Sequence, residues 1–154
     1  MIVEDAITFI RRRLNDLIFQ VYTNDEIVGY INEGIQATAL DLIRAGDPLM
    51  VNTVSLTTLY SNDLPSDFHS LLPGQPVRIT DGTISVDSGY SGSLPSVRYF
   101  KVLPNVTYGD TIPLREPHCH IALNTAVEIA LMRTGHDVSQ ERDLHLMMRG
   151  GGGK

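Results

Sequence analysis

The chain of 154 residues carries 12 Lys and Arg against 18 Asp and Glu, a formal charge of −6, with 19% charged and 42% hydrophobic residues. That composition excludes disorder throughout, and the acid excess excludes the broad basic footprint of a strong duplex-DNA binder. One domain burying roughly 70% of its unfolded surface is expected at this length, and a single cysteine, Cys119, excludes both an internal disulfide and a cysteine-rich zinc site.

Met1 to Arg13 places Glu4 and Asp5 before any base and has no apolar core of signal-peptide length, so secretion by that route is not expected. No stretch approaches the ~20 apolar residues of a membrane span. From Ile7 onward, Ile10, Leu14, Leu17, Ile18 and Val21 follow three-four spacing, which predicts one amphipathic helix. Arg11, Arg12 and Arg13 then form an exposed basic face, since neighbours on a helix are spread ~100° apart. Thr23-Asn24-Asp25-Glu26 reads as a capping box opening a second helix, with the stripe Ile27, Ile31, Gly34, Ile35, Thr38 and Leu42. Gly34 in mid-helix implies close approach of another backbone. Ala45-Gly46-Asp47-Pro48 ends that helix.

From about residue 50 to 117 the apolar period becomes two. Val54, Leu56, Thr58 and Tyr60 alternate with Ser55, Thr57 and Leu59, and Val97 to Val102 makes another strand. Asp81-Gly82 between Val77–Thr80 and Thr83–Val86 predicts a tight hairpin, because both turn residues accept positive φ. The intervening Ser88, Gly89, Tyr90, Ser91 and Gly92 read as a flexible contact loop toward a neighbouring subunit or a tail protein. Glu116-Pro117 restarts helical structure, and Ile121 to Met132 is apolar on nearly every side, so that helix should be central. Asp137 or Ser139 caps a short last helix carrying Leu144, Met147 and Met148, before a flexible tail, 149–154. The expected fold is α+β and mainly α: a bundle of two N-terminal and two C-terminal helices, one domain over 1–148, with a small antiparallel β insertion.

Catalytic chemistry is sparse. His118-Cys119-His120 has metal-ligand residue types but no evident third and fourth ligand, and helical geometry turns Cys119 away from the histidines. Ser66, Asp67 and His69 make a triad-like set without a nucleophile elbow. No glycine-rich phosphate loop follows a strand. No cofactor and no metal are expected, and a small metal-dependent or hydrolytic enzyme stays only as an alternative.

Several segments in order carry a family likeness: Ile10-Arg11-Arg12-Arg13-Leu14-Asn15-Asp16, Tyr22 to Gly34, Leu64-Pro65-Ser66-Asp67-Phe68, Ile112-Pro113-Leu114, and Ala122-Leu123 to Ala130-Leu131. In that order and spacing the chain resembles the head-to-tail adaptor proteins of tailed bacteriophages. The resemblance implies a non-enzymatic virion protein of the neck, assembled in the host cytoplasm, docking under the portal as a ring of twelve copies and meeting tail or nozzle proteins on its other side. DNA would pass through the ring without specific binding. Residues 88–96 and 105–110 do not match the family pattern. Another neck or tail-completion protein is the nearest alternative. The resemblance and the local chemistry together assign portal binding to the C-terminal segment, with Leu144, Met147 and Met148 as apolar anchors and Arg149 and Lys154 as charged ones.

Overall fold

The computed structural model describes residues 1–18, 20–135 and 146–147. The described residues form three α-helices, one short 3-10 turn and six strands in two three-stranded antiparallel sheets, which corrects the expected four-helix bundle with a small β insertion. The physical reason lies in the middle of the chain, where short strands ending in turns pair into two sheets rather than one. Most of the residues assigned to a fourth helix lie outside the described ones.

Two compact units divide the chain: Met1–Asp41 with Leu103–Lys154, and Leu42–Val102. In the first, α1 (Val3–Leu14) buries Val3, Ala6, Ile7 and Ile10. It stops earlier than the apolar spacing predicts because Asn15 turns into the left-handed conformation at φ 55°, which asparagine tolerates better than most residues. Helix α2 (Asn24–Arg44) opens on the expected capping box: the Thr23 amide donates to the Glu26 carboxylate at 2.7 Å and the Glu26 amide donates to Thr23 Oγ1 at 3.2 Å. The Thr23 bonds hold the Glu26 carboxyl below its usual range. Its stripe is buried at Ile27, Ile31, Ile35 and Thr38.

Helix α3 (His118–Arg133) buries Cys119, Ala122, Leu123, Ala126, Val127 and Ala130. It packs against α2 at Gly34. A Cβ at that glycine would run into the Ala122 carbonyl, with the carbonyl carbon at 3.0 Å and the Ala126 nitrogen at 3.3 Å. The helix ends where expected, with Gly135 at φ 74°. The first turn of α1 is tied to the strand-like stretch before α3 by the Val3 amide donating to Asp110 at 2.9 Å and the Ile112 amide donating to Met1 at 3.0 Å.

In the second unit, β6 (Ser96–Lys101) lies between β1 (Val51–Ser55) and β3 (Phe68–Leu71), and β5 (Thr83–Val86) lies between β2 (Asn62–Asp63) and β4 (Val77–Thr80). The Asp81-Gly82 turn has φ of 51° and 76°, both positive, as a tight primed hairpin requires. Leu56, Val77, Ile84, Val86 and Val97 form the core of this unit. The alternation predicted through Tyr60 ends at Ser55; beyond it, Asn62 folds back and its side-chain oxygen accepts from the Thr57 and Thr58 amides. Among the described residues no helix is long and apolar enough to cross a membrane.

Candidate interaction site

The most unusual arrangement of side chains lies at the α1–α2 connection. Arg11 and Asp16 are both buried, at 3% and 2% exposure, and pair at 2.7 Å. The triple-arginine segment is therefore not a uniform exposed face. Arg11 points inward, Arg12 is exposed and Arg13 is half-buried. The sequence reading fails at Arg11 because it assumes that the helix runs on beyond Leu14; once Asn15 reverses the chain, Asp16 comes back over the last turn of α1. The Asp16 amide then donates to the Arg11 carbonyl at 2.9 Å.

That pair binds the end of the connection that leads into α2. Asp16 accepts from the backbone amides of Gln20 at 2.9 Å, Val21 at 3.1 Å and Tyr22 at 3.1 Å. Arg11 donates to the Tyr22 carbonyl at 3.0 Å and to Asn24 Oδ1 at 2.7 Å. Burial by itself raises the Asp16 pKa, but the three amide bonds and the Arg11 charge outweigh it and hold the carboxyl below its usual range. Tyr22 anchors the far end: its ring meets Tyr30 edge-on at 6.2 Å, and its hydroxyl lies 3.0 Å from Thr134 Oγ1 at the end of α3.

Leu17, Ile18 and Val21, in the same connection, are 57%, 70% and 61% exposed. Sequence periodicity puts these three in the core. Three large aliphatic side chains exposed together are the chemistry of a contact surface. Asn15-Asp16, a pair that disfavours helix continuation, is the sequence feature that could have revealed it.

The other candidates are dispersed. The loop Ser88 to Gly92 is exposed as expected and connects β5 to β6, with Tyr90 donating to the Ser93 carbonyl at 3.1 Å. Of the C-terminal anchors, Leu144, Met148, Arg149 and Lys154 lie outside the described residues, and Met147 is 74% exposed. His120 pairs with Glu116 at 3.0 Å and stacks edge-on against Phe9, while Cys119 is buried, with its thiol pushed up by burial and by the nearby Glu116 charge. Among the described residues no three His, Cys, Asp or Glu side chains gather as a metal-ligand group.

Asp67 has a structural partner set. Tyr99, at 3% exposure, donates to it at 2.7 Å and Asn52 donates at 3.3 Å. The Tyr99 bond holds the Asp67 carboxyl below its usual range, and burial together with Asp67 pushes the Tyr99 hydroxyl up to about 12. His69 turns to Ser70 at 3.0 Å. The Leu64-Pro65-Ser66-Asp67-Phe68 element thus ties a turn to β6: the Phe68 amide donates to Pro65 and the Val102 amide donates to Asp67. No model of a known protein family matches the chain, and no curated protein matches it.

Proposed function

We propose that the chain is a head-to-tail adaptor of a tailed bacteriophage, a non-enzymatic protein of the virion neck that joins a twelve-copy ring beneath the portal and contacts tail proteins below. The observation that carries the reading is the exposed apolar set Leu17, Ile18 and Val21 beside the buried Arg11–Asp16 pair, which offers each copy a hydrophobic contact. Three such side chains expose an area on the order of a few hundred Å², well short of the ~800 Å² per partner of a stable pair. The free protein is therefore monomeric or weakly associated, and the ring forms on a portal template. Head-to-tail contacts of this kind close into rings when the rotation between copies closes. The resemblance of several segments, in order, to the adaptor family is the other support for this reading. The channel of such a ring is neutral or acidic, in keeping with the net charge of −6.

The test is assembly on the portal of the same virus, followed by light scattering and electron microscopy. Wild-type protein should add a ring to the portal. Ile18→Asp combined with Leu17→Ser should weaken ring formation at least tenfold while shifting the melting temperature little, because both side chains are exposed. Deleting residues 149–154 tests the C-terminal anchors separately, and is expected to loosen docking without altering unfolding. Wild-type protein that ignores the portal would refute the reading.

A further inference from the structure

A groove of about 480 Å³ opens in the β unit, within the range of small-molecule sites. Its floor is the polar face of the β4–β5 hairpin. Arg78 lies opposite Ser85 and Thr80 opposite Thr83, and alternation along a strand puts those four side chains on one face. Tyr60 and Tyr90 also line it. The lining segments are fastened to neighbouring backbone: the Val86 amide donates to Leu59 at 2.9 Å, the Asp87 amide to Pro76 at 2.9 Å, and the Tyr90 amide to Asp87 at 3.1 Å. The Tyr90 side chain is set by its hydroxyl bond to Ser93 and lies against Gly92, where a Cβ would meet the hydroxyl at 3.4 Å and the ring at 3.6 Å.

The charged groups of this groove have no assigned work in the fold. None of the described hydrogen bonds or ion pairs engages the Arg78 guanidinium or the carboxylates of Asp81 and Asp87, and Tyr60 is 83% exposed. Ser85 lines the groove although it is buried to 9% exposure. Two carboxylates beside one guanidinium disfavour an anion, and a guanidinium in the floor disfavours a cation. A neutral ligand with many hydroxyls matches: its O–H groups donate to Asp81 and Asp87, its oxygens accept from Arg78 and Ser85, and its C–H face lies against a tyrosine ring.

We infer that the groove lined by Tyr60 and Tyr90 binds a saccharide, with the tyrosine rings as stacking surfaces and Arg78, Asp81 and Asp87 as its hydrogen-bonding groups. The inference is independent of the adaptor reading. The open groove accepts a sugar residue with either end extended, so a residue within a glycan chain and a free sugar offer the same chemistry.

The test is a titration of the full, isotope-labelled chain by nuclear magnetic resonance with the methyl glycosides of glucose, galactose and N-acetylglucosamine, and with maltose and chitobiose. Expected is saturable binding of at least one probe at a roughly millimolar dissociation constant, with shifts confined to residues 59–61 and 78–90. Stronger binding of the disaccharides would mark a glycan chain as the source, and equal binding a free sugar. Tyr60→Ala should weaken binding at least fivefold and Tyr60→Phe should retain it, with thermal unfolding reporting that both variants fold. Asp87→Asn should weaken it also. No saturable shift with any sugar, or equal shifts from inorganic phosphate or lysine amide, would overturn the inference.

Discussion

Replacing Gly34 by alanine inserts one methyl group at the crossing of α2 and α3, and its consequence can be worked out. In an open helix the change stabilises by about 1 kcal/mol. Here the added Cβ lands on the Ala122 carbonyl, with two further backbone atoms of α3 at 3.0 Å and 3.3 Å. Side chains rotate away from such intrusions, but a helix backbone moves only as a unit, and ordinary overpacking already costs about 1–3 kcal/mol. A net loss of about 2–3 kcal/mol follows, which for a chain of this size lowers the melting temperature by about 5–10 °C. Gly29 is the internal control, lying on the same helix with nothing within 4 Å of an added Cβ. Gly29→Ala should raise the melting temperature by about 1–3 °C. Circular dichroism melts of the two variants beside wild type decide the matter. If Gly34→Ala melts at or above wild type, α2 and α3 do not cross at that glycine.

Asp16→Asn should lower the melting temperature at neutral pH, because Arg11 stays buried without its counter-charge. The folded-state pKa of Asp16 is lowered from its ordinary 3.8, so its stabilisation is complete above that value and fades as pH falls through the folded pKa. The gap between variant and wild type should therefore narrow on acidification below about pH 4, and melts giving the same gap at pH 7 and pH 3 would contradict the assignment. Tyr99 should be the last tyrosine to ionise, near pH 12, in a tyrosinate absorbance titration, and Tyr99→Phe should remove that step. Since its pKa is raised on folding, its contribution is intact below pH 10 and is lost between pH 10 and about 12. A Tyr99→Phe titration that keeps the late step would assign it to another residue.

Features written in a few neighbouring residues are legible without coordinates. The capping box at Thr23 and Glu26, the Asp81-Gly82 hairpin and the end of α3 at Gly135 each follow from local chemistry, and Gly34 betrays its helix contact because glycine has no local reason to sit there. Legibility fails where one residue overrides a longer pattern. The apolar spacing from Ile10 to Val21 fits one helix well, yet Asn15 breaks it, moving Leu17, Ile18 and Val21 from the core to the surface and Arg11 the other way. The two-residue strand β2 and the four-residue β3 are too short for periodicity to register, and pairing partners decide them. Of the groove, only its Ser88 to Tyr90 part is readable as a loop; that Tyr60 lines the same groove as Tyr90 depends on how the chain returns.

The helical unit is drawn from both ends of the chain, with the β unit written between them. Synthesis on the ribosome delivers these parts in a fixed sequence. The contiguous segment Leu42–Val102 holds all its own pairing partners and is free to fold as soon as it emerges. The α2 stripe of Ile27, Ile31 and Ile35, made earlier, has to wait for α3, and at roughly 5–20 residues per second that wait lasts several seconds. For that interval the nascent protein carries an uncovered apolar helix, so holdase chaperones should engage α2 before α3 is made and release it once Ala122 and Ala126 have closed over Gly34.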